Sequence, residues 1–128
     1  MRYIFDTGSF ITFFDNEKGA RKIGMLLNEV ERGQAEGFVS AITLTELYYI
    51  YARKDAKLAN DRIDAVISSR LKVIAIGGNI ALRAGRYKLA PIPLADALIA
   101  ATSYECKAHL IAHDKHFKEL GIYVVDYK

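Results

Sequence analysis

Asp6 directly follows the β-prone segment Arg2 to Phe5, and Asp114 follows the apolar run His109 to His113. Glu46 and Asp96 lie near the starts of two helix-like segments. In open α/β sheets these are places where chemistry collects, because loops and helix N-termini gather at the carboxyl ends of the strands. If the strands that carry them are neighbours, the four acids share one cleft. Carboxylates drawn together repel one another and lose hydration, a cost that protons or a cation must offset. Oxygen-only ligands suit Mg²⁺ or Mn²⁺, which keep several waters and are held by a few carboxylates together with substrate phosphate oxygens. Such ions acidify water and neutralise charge on a phosphodiester under attack. The chemistry implied is phosphodiester hydrolysis, with Asp6, Glu46, Asp96 and Asp114 as catalytic and metal-binding residues.

Each acid also has a purely structural explanation. Thr43 and Glu46 have the spacing of a capping box, and taken alone that is the better reading of Glu46. Asp96 complements a helix dipole and Asp114 caps the short helix after it, readings as good as the functional ones. Asp6 has no evident cap or salt-bridge role; its alternative is an Asx-turn with Thr7-Gly8-Ser9. Other chemistry has less support. His109, His113 and His116 read as a surface cluster, Cys106 as a packed thiol, and Gly77-Gly78 lacks the Lys-Ser/Thr that follows a phosphate-binding loop.

The elements that must position the acids alternate. Strands are expected at 2–5, 38–42, 72–76, 109–113 and 122–125, the first closed by the polar turn Asp6-Thr7-Gly8-Ser9. Helical periodicity covers 10–31, a helix opening at Thr43, then 57–69, 80–89, a helix with Pro93 in its first turn, and a brief turn around 117–120. Short apolar strands alternating with helices predict a three-layer α/β/α, Rossmann-like fold with a mainly parallel central sheet.

The chain has 128 residues, 52% hydrophobic and 26% charged, which is ordinary globular composition and excludes a disordered chain. A single domain spanning 1–128 is expected. One cysteine permits no internal disulfide, the N-terminus reaches an acid too early for a signal peptide, and no apolar run is long enough to cross a bilayer. A cytoplasmic protein with no membrane partner is expected. The net charge of +3 suits a polyanionic partner, and Arg53, Lys54, Lys57, Arg62, Arg70 and Lys72 would supply a basic face apart from the acids. Tyr48, Tyr49, Ile50 and Tyr51 surround a helix with more apolar surface than one core stripe needs, so an interface with a partner or a second subunit is expected there.

The segments Asp6-Thr7-Gly8-Ser9, Thr43-Leu44-Thr45-Glu46, Pro93-Leu94-Ala95-Asp96-Ala97-Leu98-Ile99-Ala100-Ala101-Thr102 and Leu110-Ile111-Ala112-His113-Asp114-Lys115-His116-Phe117 together resemble the PIN-domain family, especially its VapC-type toxin ribonucleases. The resemblance spans nearly the whole chain and is strongest around Asp96. It implies a PIN domain, Mg²⁺ or Mn²⁺ held by Asp6, Glu46, Asp96 and Asp114, endonucleolytic cleavage of RNA, and an antitoxin protein as partner; a homodimer is also expected. Two departures stand out: Ala112 where the family often has Thr or Ser, and His116 where it often has Asp. They put a second metal position in doubt, which Thr7 or Ser9 would have to complete with a hydroxyl. A non-catalytic RNA-binding module, a housekeeping RNA-processing nuclease, and a phosphatase or phospho-receiver are the alternatives, the last ranked lowest because Asp6 stands alone.

Overall fold

The computed structural model describes residues 1–128. Five strands, β1 (Arg2–Phe5), β2 (Glu36–Ser40), β3 (Lys72–Ile74), β4 (His109–Ile111) and β5 (Val124–Val125), form one sheet in the order β3-β2-β1-β4-β5. All pairings are parallel, with Ile4 opposite both Phe38 and Leu110. The helices are α1 (Thr7–Phe14), α2 (Ala20–Glu31), α3 (Ala41–Ala52), α4 (Ala56–Ile67), α5 (Gly78–Tyr87), α6 (Leu94–Cys106) and α7 (His116–Glu119).

Side chains alternate across the strands and bury both faces, as a parallel sheet requires. Tyr3, Phe5, Val39 and Ile111 pack with Phe10, Ile23, Leu47, Tyr51 and Val66 from α1 to α4. On the other face Ile4, Phe38 and Leu110 meet Ile99 and Ala100 of α6 and Phe117 of α7. A third cluster joins Ile80 and Ala84 of α5 to Ala97 and Ala101 of α6. The result is the expected three-layer α/β/α architecture. Truncating a fully buried member such as Leu47 to Ala would cost about 2–5 kcal/mol.

Strands β3, β4 and β5 are shorter than expected, and three further boundaries differ from the sequence reading, each for a short-range reason. The helix expected over 10–31 is two helices, because Asn16 and Gly19 take positive φ (52° and 102°) between them. A Cβ on Gly19 would lie 2.6 Å from the Tyr127 carbonyl oxygen, so that turn needs glycine on grounds of space as well as conformation. The turn expected at Thr7-Gly8-Ser9 is the first turn of α1. Residues Ala41 and Ile42, expected in a strand, are helical because Ser40 caps α3 by accepting from the Ile42 N–H at 3.3 Å. No helix is long and apolar enough to cross a membrane.

Candidate functional site

The strand order decides where the acids meet. β1 is central, flanked by β2 and β4, so the carboxyl ends that lead to Asp6, to α3 with Glu46, and to Asp114 are adjacent. The chain returns from β3 to the opposite side of β1, making the β1–β4 junction the point where strand order reverses and crevices form. The Asp6 N–H donates to the Ile111 carbonyl at 3.2 Å and ties the two strand ends together across that junction.

Asp6 is 8% exposed and N-caps α1, its Oδ1 accepting from the Ser9 N–H at 2.7 Å. Spacing alone gives this residue no cap role, because it predicts a turn where α1 begins. Ser9 returns a bond from its hydroxyl to the Asp6 carbonyl at 2.8 Å. Burial pushes the Asp6 carboxyl up to about 7; bonds from Ser9 oppose this, while Asp96 and Asp114 add repulsion.

Glu46 lies past the first turn of α3, since the helix begins at Ala41, and Thr43 is fully buried within it. The capping box is therefore not formed. Instead the Thr7 hydroxyl donates to Glu46 Oε1 at 2.6 Å and lies 3.1 Å from the Thr43 hydroxyl. A threonine has one proton to give, so Thr43 supplies the donor of the second contact. Thr7, on the element that carries Asp6, thus fixes the carboxylate carried by α3. Its part was not readable from spacing, because the two residues are 39 apart in sequence. With Thr7 on Glu46 and Ser9 on the Asp6 carbonyl, both hydroxyls at the start of α1 already have acceptors.

Asp96 occupies the first turn of α6, where the helix dipole favours an anion. Burial raises its carboxyl to about 6, with Asp114 and then Glu46 adding repulsion and His116 relieving some of it. Asp114 accepts from the His116 N–H at 2.9 Å, and Lys115 holds the cap position of α7 that the sequence reading gave to Asp114. His116 Nε2 stands 3.8 Å from Asp114 Oδ1, an imidazole where the family often has an acid. Ala112 is fully buried in the second core cluster and offers no hydroxyl.

Asp6 therefore feels Asp96 and Asp114, and Asp96 feels Asp114 and Glu46, across a single strand edge. No set of three His, Cys, Asp or Glu side chains stands ready-made to hold a metal ion. In donor chemistry the residues fit a hard divalent cation: every one offers carboxylate oxygen, and burial and repulsion hold Asp6 and Asp96 well above the ordinary carboxylate range.

The other residues singled out from the sequence are dispersed. Arg62 lies over the rings of Phe14 and Tyr51 at 4.9 and 5.6 Å, and Arg70 contacts Glu31 through its backbone N–H at 2.9 Å, so these two of the mid-chain cations are engaged within the protein. Tyr51 is buried in the core, whereas Tyr48 and Tyr49 are exposed. His113 bonds Asp126 at 2.8 Å and His109 packs on Tyr123, so the histidines are engaged separately.

The family model for the PIN domain matches residues 3–123. No curated protein matches in sequence. Among solved structures, VapBC2 from Rickettsia felis, bound to a DNA fragment from its promoter, superposes with a TM-score of 0.82 at 20% identity, over 100% of both chains. VapC20 from Mycobacterium tuberculosis, described as a sarcin–ricin-loop-cleaving toxin, gives 0.77 at 14% identity, over 96% of this chain and 98% of that one. A toxin–antitoxin complex from Klebsiella pneumoniae gives 0.72 at 25% identity, over 96% of each chain.

Proposed function

The chain belongs to the PIN-domain family, and from that premise we propose that it is a Mg²⁺- or Mn²⁺-dependent endoribonuclease acting through Asp6, Glu46, Asp96 and Asp114. The observation that carries this reading is the gathering of the four acids at the carboxyl edge of three adjacent strands, where burial raises Asp6 and Asp96, with added repulsion from Asp96 and Asp114 on Asp6 and from Asp114 and Glu46 on Asp96. Asp6, Glu46 and Asp114 would hold the cation in orientations set in advance by Ser9, Thr7 and His116, and Asp96 would complete the set from the start of α6. When bound, such a cation supplies charge neutralisation on the phosphodiester and lowers the pKa of the attacking water.

The biological role we propose is the toxin of a toxin–antitoxin pair, cytoplasmic and restrained by an antitoxin protein. It rests on structural likeness to proteins described as toxins and toxin–antitoxin complexes. The exposed Tyr48 and Tyr49 on α3 give the antitoxin or a second copy of the chain an aromatic surface to cover.

RNA cleavage in Mg²⁺, Mn²⁺ and EDTA, with wild type and Asp96→Asn side by side, tests the proposal. Cleavage that needs the cation and vanishes in the variant is expected; equal cleavage by both proteins overturns the assignment. A second reading, a PIN-like module that binds RNA without cutting it, is favoured by His116 beside Asp114 and by the lack of a ready-made ligand set. Under it, calorimetry would detect no Mn²⁺ binding and RNA affinity would persist in EDTA.

A further inference from the structure

A basin of carboxylates repels the polyanion it is meant to cut, so an RNA-cleaving site of this kind needs nearby positive charge that is not already spent on the protein itself. Most large concavities lie away from the acids; one of about 180 Å³ borders them, lined by His113, Asp114, Lys115, Lys118, Val124 and Asp126. Its charges are unevenly committed. Asp126 is occupied: Oδ1 is 2.8 Å from His113 Nδ1 and accepts from the Lys128 N–H at 2.9 Å. Lys115 and Lys118 are exposed and form no ion pair. Elsewhere Arg2 and Arg83 are paired with Glu36 and Glu105, and Lys22 and Lys88 donate to backbone carbonyls.

We infer that this pocket, through Lys115 and Lys118, seats a backbone phosphate of the RNA next to the one cleaved. The inference rests on the nuclease reading for its substrate and adds two residues that place the strand. Asp114 forms the shared wall between the pocket and the acid basin, so a phosphate held by the lysines sets its neighbour over the carboxylates. Of the two carboxylates that line the pocket, Asp114 belongs to the acid basin, and the His113–Asp126 pair turns the other to a partner inside the protein.

The experiment measures binding of labelled single-stranded RNA in Ca²⁺ by fluorescence anisotropy across a salt series, and cleavage in Mn²⁺, for wild type, K115A/K118A, K115R/K118R and the remote control K54A/K57A. In K115A/K118A the slope of log affinity against log salt should become shallower by about 1.4, the value for two contacts to single-stranded phosphates. KM should rise with kcat nearly unchanged, because the lost contacts serve ground and transition states alike. K115R/K118R should restore both, and K54A/K57A should match wild type. Replacing the phosphate beside the scissile one with a neutral methylphosphonate should weaken binding to wild type and leave K115A/K118A unaffected. If wild type cleaves while K115A/K118A keeps the wild-type slope, the subsite falls and the nuclease reading stands. Lysine-dependent binding without any cleavage sinks the nuclease reading and keeps the subsite; absence of RNA binding sinks both.

Discussion

At the amino-terminal edge of the sheet Arg2 of β1 meets Glu36 of β2 at 3.6 Å, and Arg70 contacts Glu31 through its backbone N–H at 2.9 Å and its guanidinium, which reaches the Glu31 carbonyl at 3.2 Å. At the carboxyl edge Asp6, Asp96 and Asp114 repel one another, and burial with that repulsion raises Asp6 to about 7 and Asp96 to about 6. Both edges are rich in charge and both border concavities, the one at the amino edge being the larger at about 400 Å³. Size is therefore a poor guide to the site. Charges of opposite sign placed together satisfy one another, whereas charges of like sign placed together store a cost that a ligand can relieve.

The comparison breaks most readily at Asp96. Asp96→Asn should lower cleavage by about two to three orders of magnitude, the scale of several kcal/mol of cation-supplied stabilisation, as measured by single-turnover rates in saturating Mn²⁺.

The stored cost should also appear as pH-dependent stability. Because the folded Asp6 carboxyl titrates near 7 against 3.8 ordinarily, its contribution is fully present below pH 3.8 and is lost as pH rises to about 7. Asp96 acts in the same direction up to about 6. Metal-free protein should lose melting temperature across this window, and Asp6→Asn, which preserves an N-cap residue, should flatten the fall and raise Tm at pH 8 by several degrees. Saturating Mn²⁺ should raise wild-type Tm more than that of the variant. A calorimetric Tm profile identical in wild type and Asp6→Asn would show that no such cost is stored.

A smaller effect is expected at Thr7. Thr7→Val keeps the shape and removes the donor to Glu46, so kcat should fall about tenfold, as for other residues that orient metal ligands, while RNA affinity in Ca²⁺ holds. At the amino edge, Arg2→Ala removes an exposed ion pair and should change stability by about 0–1 kcal/mol in urea unfolding, with cleavage unchanged.

Much of the molecule is legible in the sequence, because its signals are local. Apolar runs such as Phe38-Val39 and Leu110-Ile111 mark strands buried on both faces, and Pro93 opens α6 with Asp96 in its first turn. Boundaries failed where one side chain or one backbone angle decides them. Asp6 starts α1 at once by capping it, Ser40 ends β2, and Gly19 divides one periodic stretch into two helices.

What the sequence by itself determined was the inventory: four acids, each at the end of a strand or near the start of a helix, within a βα alternation and the motifs of one family. Only the tertiary structure decided that β1 sits between β2 and β4, that Thr7 reaches Glu46 across 39 residues, and that Asp126 is committed to His113 while Lys115 and Lys118 are not. The physical reason is range. Caps and periodicity act within a few residues of chain, whereas convergence of charges depends on strand order and helix packing, where contacts join residues far apart in sequence.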